Sequence, residues 1–194
     1  DEVSVPILYV SHAASEVARL ATTVVALDSG RVARQGAAAE VLGDPGVTPM
    51  GVREAGAILT GRVAAHHADG LTEIALPEGR LLLPRIGAAE GREVRVRIEA
   101  QDVMLALEAP ARISALNVLP ATVTELRPGA GPGMLVQLRA GGAALLARVT
   151  RRSAGALGLA PGVACFAVVK SLAVAQADVG TGPAPAPAAS FPGR

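Results

Sequence analysis

Glu93 to Glu99 alternates strictly between aliphatic and charged side chains, with Val94, Val96 and Ile98 on one side and Arg95 and Arg97 on the other. Successive side chains of a strand point to opposite faces, so this period of two predicts a half-buried strand. The pattern recurs around it. Ile58 to Ala65, Leu71 to Leu76 and Arg80 to Pro84 are short apolar runs separated by the turn sequences Ala68-Asp69-Gly70 and Pro77-Glu78-Gly79. Asp102 to Leu107 continues the sheet, and Glu108 to Ala111 leads into a second β unit. In that unit, strands through Asn117 to Leu126, Met134 to Arg139 and Ala144 to Thr150 are joined by the loop 128–133 and by Gly141-Gly142. A helix over about Arg151 to Leu157 precedes a last strand, opened by Pro161-Gly162 and running to Ala175. Short strands with one helix predict a small Greek-key barrel of the oligomer-binding (OB) type, whose closure leaves few exposed edges.

A barrel needs a core, and 51% hydrophobic residues in 194 are ample. Aromatics are limited to Tyr9, Phe166 and Phe191, so the core must be built from Val, Leu, Ile and Ala. A net charge of +1 gives no electrostatic case for nucleic acid, and so few aromatics leave no stacking platform for bases. Cys165 is the single cysteine and lies in an apolar run, which predicts an inert core thiol in a reducing compartment. No apolar stretch reaches the ~20 residues needed to span a bilayer, and no basic region with a signal-like apolar segment opens the chain. A membrane link is therefore expected only through a partner protein.

The first 45 residues read differently. Ile7-Leu8-Tyr9-Val10-Ser11-His12 predicts a strand that ends on a hydroxyl and an imidazole, placing His12 where α/β sheets bind ligands. A helix follows, with Ser15 as cap, Val17, Leu20 and Ala21 facing inward and Arg19 outward. Val24 to Leu27, the turn Asp28-Ser29-Gly30 and Arg31 to Gly36 predict two more strands. Ala37 to Leu42 is a short helix ended by Gly43-Asp44-Pro45, and Gly43 to Gly56 reads as a junction.

This order of strand, "VSH", helix, apolar strand, "DSGRVARQG" and short helix resembles the end of the nucleotide-binding domain of ABC transporter ATPases. The resemblance implies a RecA-like remnant in which His12 is the switch-loop residue that hydrogen-bonds the ATP γ-phosphate and helps position water. Read alone, His12 is equally a polar residue closing a strand. Phosphoryl transfer also needs a glycine-rich loop with Lys and Ser/Thr and a carboxylate for magnesium. No G-x-x-x-x-G-K-[ST] occurs, and Asp1-Glu2 has no apolar strand before it. Without Walker A, signature and Walker B motifs, and without an initiator Met, the chain is expected to be the carboxyl-terminal piece of a longer protein and inactive toward ATP alone.

Of the 18 basic residues only Lys170 is a lysine, and it stands next to Ser171. A compact ammonium suits a small oxyanion better than a planar guanidinium, although a lone lysine is also an ordinary solvated residue. Ser114-Ala115-Leu116-Asn117 opens the same unit, and Thr150 and Ser153 flank its helix start. "ISALNVLPATVTEL", "ARVTRRSAGALGLAPG" and "FAVVKSLAV" resemble the Mop-type, transport-associated (TOBE) molybdate-binding domain of molybdate ABC importers, over roughly residues 57 to 175. The resemblance implies that Ser114, Ala115, Asn117, Lys170 and Ser171 hold molybdate or tungstate, with Thr150 and Ser153 at a second oxyanion site. Leu116 departs from the family pattern, standing where an arginine is usual; Arg112 and Arg151 are candidate replacements. Without a ligand, Ser114 and Asn117 read as a strand-entry turn and Ser153 as a helix cap. His66 and His67 are adjacent, so on a strand they face opposite ways and cannot easily share a metal ion. They are assigned a surface role.

The fold expected is thus mostly β: 1–45 a remnant of an ABC ATPase domain, 46–56 a linker, 57–175 the Mop/TOBE β domain (57–107 and 112–175), and 176–194 a disordered Gly/Pro/Ala-rich tail. By resemblance, the complete subunit binds ATP and magnesium and forms a homodimer through its ATPase and Mop domains. It sits on the cytoplasmic face of the membrane against permease subunits, and serves a periplasmic molybdate-binding protein indirectly. A dimerisation barrel without ligand, or an importer for another solute, are the rival readings.

Overall fold

In the computed structural model, residues 7–44, 55–129, 131–174 and 179–181 are described. Helix α1 (Ala14–Leu20) is followed by strands β1 (Thr23–Asp28) and β2 (Arg31–Ala37) and by helix α2 (Ala38–Leu42). The β region then runs through β3 (Gly56–His66), β4 (Leu71–Ala75), β5 (Arg80–Pro84), β6 (Glu93–Glu99) and β7 (Val103–Ala106). It continues as β8 (Asn117–Pro128), β9 (Gly133–Ala140), β10 (Ala143–Thr150), helix α3 (Arg151–Ala156), β11 (Ala164–Val169) and β12 (Val179–Thr181). The short apolar runs of the sequence became strands because their alternation lets each place one face on a shared core.

Two five-stranded sheets enclose that core, ordered β12-β6-β3-β4-β5 and β10-β9-β8-β11-β7. Strand pairing is antiparallel throughout, and β11 inserts between β8 and β7. This is the mostly β, OB-like architecture that the strand pattern predicts. A single apolar cluster takes Leu59, Ile74, Leu81, Val94 and Val96 from the first sheet and Leu119, Leu138, Leu145 and Val169 from the second. Burying each such aliphatic side chain contributes roughly 1.5–3 kcal/mol, so the two β units stabilise each other. Gly141 and Gly142 join β9 to β10 with φ of 61° and 82°, the mirror-image turn that favours glycine at both positions.

A second, smaller cluster of Ala18, Ala38, Leu42 and Ile58 seats α1 and α2 on β3. β1 and β2 form a separate antiparallel hairpin, and Gln137 Nε2 donates to Gly43 O at 2.9 Å, tying the end of α2 to β9.

Several expectations are corrected. Ile7 to Ser11 is not a strand: it has no ladder partner among the described residues, and Leu8 is 95% exposed. Ser15 does not cap α1; the cap position is Ala13, whose N–H donates to Ser11 Oγ at 3.0 Å. Ala14 and Ala18 face inward on α1, whereas Leu20 is exposed, because a seven-residue helix buries only the stripe that meets α2, β6 and β12. β6 is not half-buried: Arg95 and Arg97 are only 6% and 4% exposed, covered by elements from outside its own sheet. The last long strand stops at Val169, and Ser171–Ala173 is a single 3-10 turn. Val179–Thr181, placed in a disordered tail by composition, adds to β6 as an edge strand. The remainder of that tail, and residues 46–54 of the proposed linker, lie outside the described residues.

Candidate functional site

The site predicted from sequence lies where β8 begins and β11 ends. The last pair of their ladder is Asn117↔Val169, so Leu116 and Lys170 continue immediately beyond the same end of two hydrogen-bonded strands. Residues more than fifty positions apart thus become neighbours through one antiparallel register. Lys170 is exposed and sits at the cap of the 3-10 turn, its carbonyl accepting from Ala173 N at 3.0 Å. Ser171 is 8% exposed, and its Oγ is buried without a hydrogen-bond partner. Unpaired buried hydroxyls are costly, of the order of 1–3 kcal/mol, so this one is a poised donor or acceptor. Ala115 is buried and Ser114 exposed on the other side of the register.

Asn117 has a different task. Its Oδ1 accepts from Leu82 N at 2.7 Å while its Nδ2 donates to Leu82 O at 3.0 Å, so the amide stitches β8 to β5. These two bonds position the start of β8.

Thr150 and Ser153 are in another place. Thr150 Oγ1 accepts from Ser153 N at 3.0 Å and lies 2.8 Å from Ser153 Oγ, which makes Thr150 the cap of α3. Both line an open groove of about 820 Å³ with Met104, Leu105 and Arg148, and neither Lys170 nor Ser171 reaches it. Of the candidate replacements for a lost arginine, Arg151 is committed to the carbonyl of Gly131, and Arg112 sits exposed with φ of 56°.

His12 is exposed at the mouth of a cleft of about 390 Å³ that it lines with Ser15, Arg97 and Glu99. Ser11 Oγ and Tyr9 Oη both donate to Glu16, at 2.8 and 2.9 Å, and these bonds hold the Glu16 carboxyl below its usual range. The same carboxylate raises the Tyr9 phenol. This donor set holds no phosphate-cradling loop, so it does not fit a nucleotide by itself. His66 and His67, read as surface residues, are both engaged. His66 Nε2 donates to Ala88 O at 2.9 Å and its Nδ1 meets the buried Thr72 hydroxyl at 2.9 Å, while His67 Nε2 lies 3.1 Å from Glu73. Among the described residues, no three His, Cys, Asp or Glu side chains cluster to hold a metal ion, and no helix is long and apolar enough to cross a membrane.

Sequence reasoning missed Arg95. Its Nη1 donates to Ala21 O at 2.8 Å and its Nη2 to Arg19 O at 2.6 Å, so it grips the carboxyl end of α1. Burial pushes its guanidinium below the usual value, partly offset by Glu93. The alternation of β6 marks the position, but nothing local signals that a helix covers it.

Residues 113–176 match the TOBE domain family. The chain is 43% identical over 182 residues to the molybdenum import ATP-binding protein ModC of Mesorhizobium japonicum, covering 93% of this chain and 49% of the relative. It is 44% identical to that of Albidiferax ferrireducens, over 88% of this chain and 46% of the relative, and 42% identical to ModC 1 of Azotobacter vinelandii, over 90% and 49%. The chain therefore spans about half the length of the curated relatives it matches. A crystal structure of the cytoplasmic molybdate-binding protein ModG with molybdate bound superposes with a TM-score of 0.56 and 28% identity, over 63% of this chain and 94% of that one. Over the 49% of their length that it spans, the chain is similar to molybdenum import ATP-binding proteins, and its residues 113–176 match the TOBE domain family.

Proposed function

We propose that this chain is the carboxyl-terminal portion of a molybdate importer's ATP-binding subunit, and that its β domain binds molybdate or tungstate at the β8–β11 end. The observation that supports the reading is the chain's only lysine beside a buried, unpartnered Ser171 hydroxyl, just beyond the β11 end that pairs with the start of β8, the strand that the Ser114-Ala115 segment precedes. Molybdate is a tetrahedral dianion. An ammonium, two hydroxyls and a backbone N–H are a suitable donor set for it.

If each charge-assisted bond nets about 1.5–3 kcal/mol, the four donors Ser114, Ala115 N–H, Lys170 and Ser171 supply roughly 6–12 kcal/mol. Association costs of at least about 4 kcal/mol leave at most about 2–8 kcal/mol, so micromolar binding is feasible at the upper end of that range. Leu116 contributes no charge, which keeps the affinity there. Thr150 and Ser153, at the groove beside α3, are a separate and weaker polar pair, with the two hydroxyls already bonded to each other.

In this reading residues 1–45 are the end of the ATPase domain, with His12 its switch-loop residue, 46–56 the linker, and 57–175 the oxyanion-binding domain. ATP and magnesium are assigned to the complete subunit. That subunit dimerises through its ATPase and Mop domains and works on the cytoplasmic face against permease partners, with a periplasmic molybdate-binding protein feeding them. Cytoplasmic molybdate bound by the barrel restrains uptake when it is plentiful.

Titration calorimetry of the chain with sodium molybdate tests this: micromolar binding is expected, competed by tungstate and much weakened by Lys170→Ala. No heat at millimolar molybdate would remove the oxyanion role. A second reading draws on the exposed Leu172 and Leu116 at the same end, 83% and 53% accessible, which suit contact between copies. Dimers whose mass is indifferent to molybdate, in a chain that binds none, would favour a barrel used for association alone.

A further inference from the structure

The β domain repeats one plan. β3 and β8 carry their ladder irregularities at matching places, between Val63 and Ala65 and between Val123 and Glu125. At the same places Val63 N donates to Arg92 O and Val63 O accepts from Gly91 N, just as Val123 N donates to Val163 O and Val123 O accepts from Gly162 N. Gly91 and Gly162 both have positive φ. β6 then leads into the 3-10 turn Ala100–Asp102 as β11 leads into Ser171–Ala173. Glu99 therefore holds the cap position in the first unit that Lys170 holds in the second, and the buried Ala100 takes the place of Ser171.

The two equivalent ends differ in closure and in charge. In the second unit the ladder stops at Asn117↔Val169, and Ser171 Oγ is buried without a partner. In the first, the matching pair Ala57↔Ile98 is followed by Gly56↔Glu99, and Ala100 N donates to Ala55 O at 2.8 Å, so the strands stay paired as far as the turn. Gly56 permits this approach, because a Cβ there would lie 2.9 Å from Ile98 O; Leu116 stands at its place in the second unit. Both Glu99 oxygens are engaged, accepting from Arg97 Nη1 and Gln101 Nε2 at 2.8 Å each. A carboxylate in place of an ammonium repels a dianion, and Ala100 offers no hydroxyl to one.

We propose that the Glu99–Ala100 end is a second oxyanion site of the same design, closed by its own side chains, and that Glu99 and Ala100 are the residues that restrict this pair of strand ends to one oxyanion. The inference rests on the oxyanion reading above and adds to it the source of selectivity between the two ends. The open end carries a cost in stability, since its buried hydroxyl lacks a partner, and the closed end does not.

Calorimetry and native mass spectrometry with sodium molybdate, on the parent and on Glu99→Lys/Ala100→Ser, read the number of ions bound. The double variant is expected to take up one molybdate per chain more than the parent, and to keep the added ion when Lys170→Ala is introduced as well. An equal number in parent and double variant overturns the proposal. So does an added molybdate in Glu78→Lys, which makes the same charge change on the exposed turn before β5. The reciprocal variant Lys170→Glu/Ser171→Ala gives a test that stands even where the first double variant does not fold. Without molybdate it is expected to melt about 2–4 °C above the parent, because closing the second end removes the unpartnered hydroxyl. A melting temperature at or below the parent's overturns the equivalence of the two ends. Absence of binding in the parent overturns the oxyanion reading and this inference with it, whereas binding in the parent with no added ion in the double variant leaves that reading intact.

Discussion

Asn117 and Leu82 exchange two hydrogen bonds, side-chain amide to backbone, at 2.7 and 3.0 Å. The pair joins β8 of one sheet to β5 of the other directly below the candidate oxyanion site. Asn117→Ala leaves the Leu82 N–H and C=O without this partner, at a cost of about 1–3 kcal/mol for each. Thermal unfolding without molybdate should show the loss, about 2–4 °C per kcal/mol for a chain of this size. An unchanged melting temperature would mean that this pair does not hold the two sheets together.

The lost arginine can be restored. Leu116→Arg adds a guanidinium beyond the β8 end, next to Lys170, and one further charge-assisted bond of about 1.5–3 kcal/mol corresponds to tenfold or more in molybdate affinity. Calorimetry on the parent and L116R reads the ratio; no gain would mean that position 116 does not face the ligand.

Gly61 sits on β3 where a Cβ would come within 2.6 Å of Ala75 O and of Ile74 Cγ2. Gly61→Ala therefore overpacks a strand junction, with an expected loss of about 1–3 kcal/mol in urea unfolding. Gly70, by contrast, has nothing within 4 Å of its would-be Cβ, so the same measurement on Gly70→Ala reads only the strain of its φ of 85°.

The His66 ring, at the end of β3, bridges Thr72 of β4 and the loop residue Ala88 through a defined direction of donation. Ala88 O only accepts, so Nε2 carries the proton and Nδ1 accepts from Thr72 Oγ1, which itself accepts from Ile86 N at 3.2 Å. A double-mutant cycle of His66→Ala and Thr72→Val should give a coupling of about 0.5–3 kcal/mol. A coupling indistinguishable from zero would make the ring an independent surface group.

Cys165 is buried, and desolvation raises its thiol above the ordinary value of 9.0. The unfolded chain releases this proton first, so the contribution to stability is complete below pH 9.0 and falls as pH rises through the folded value. Unfolding free energy measured across this range should decline in the parent more than in Cys165→Ala. At pH 8 a thiol reagent should label the protein only as fast as it unfolds, because the thiolate is the reactive form.

Much of the β domain was legible from spacing. The alternation of Val94, Val96 and Ile98 placed β6 to the residue, and Gly141-Gly142 placed the β9–β10 turn, because strand period and turn stereochemistry are local properties. The resemblance over 57–175 pointed to Lys170 and Ser171. The ladder pairs the end of their strand with Asn117, a relation that no local pattern contains.

The misses are tertiary. Ile7 to Val10 has the composition of a strand, yet a strand exists only when another pairs with it, and no described segment does. Arg95 and Arg97 carry the chemistry of a solvated face, and only the docking of α1 buried them. Val179 to Thr181 has the composition of a tail, and the open edge of β6 made it a strand. Sequence alone determined where this chain alternates, turns and carries its single ammonium, since those depend on neighbours in the chain. Which face of β6 meets solvent, which carbonyls Arg95 holds and where Val179 to Thr181 pair were decided by long-range packing, whose free energy exists only once the elements have met.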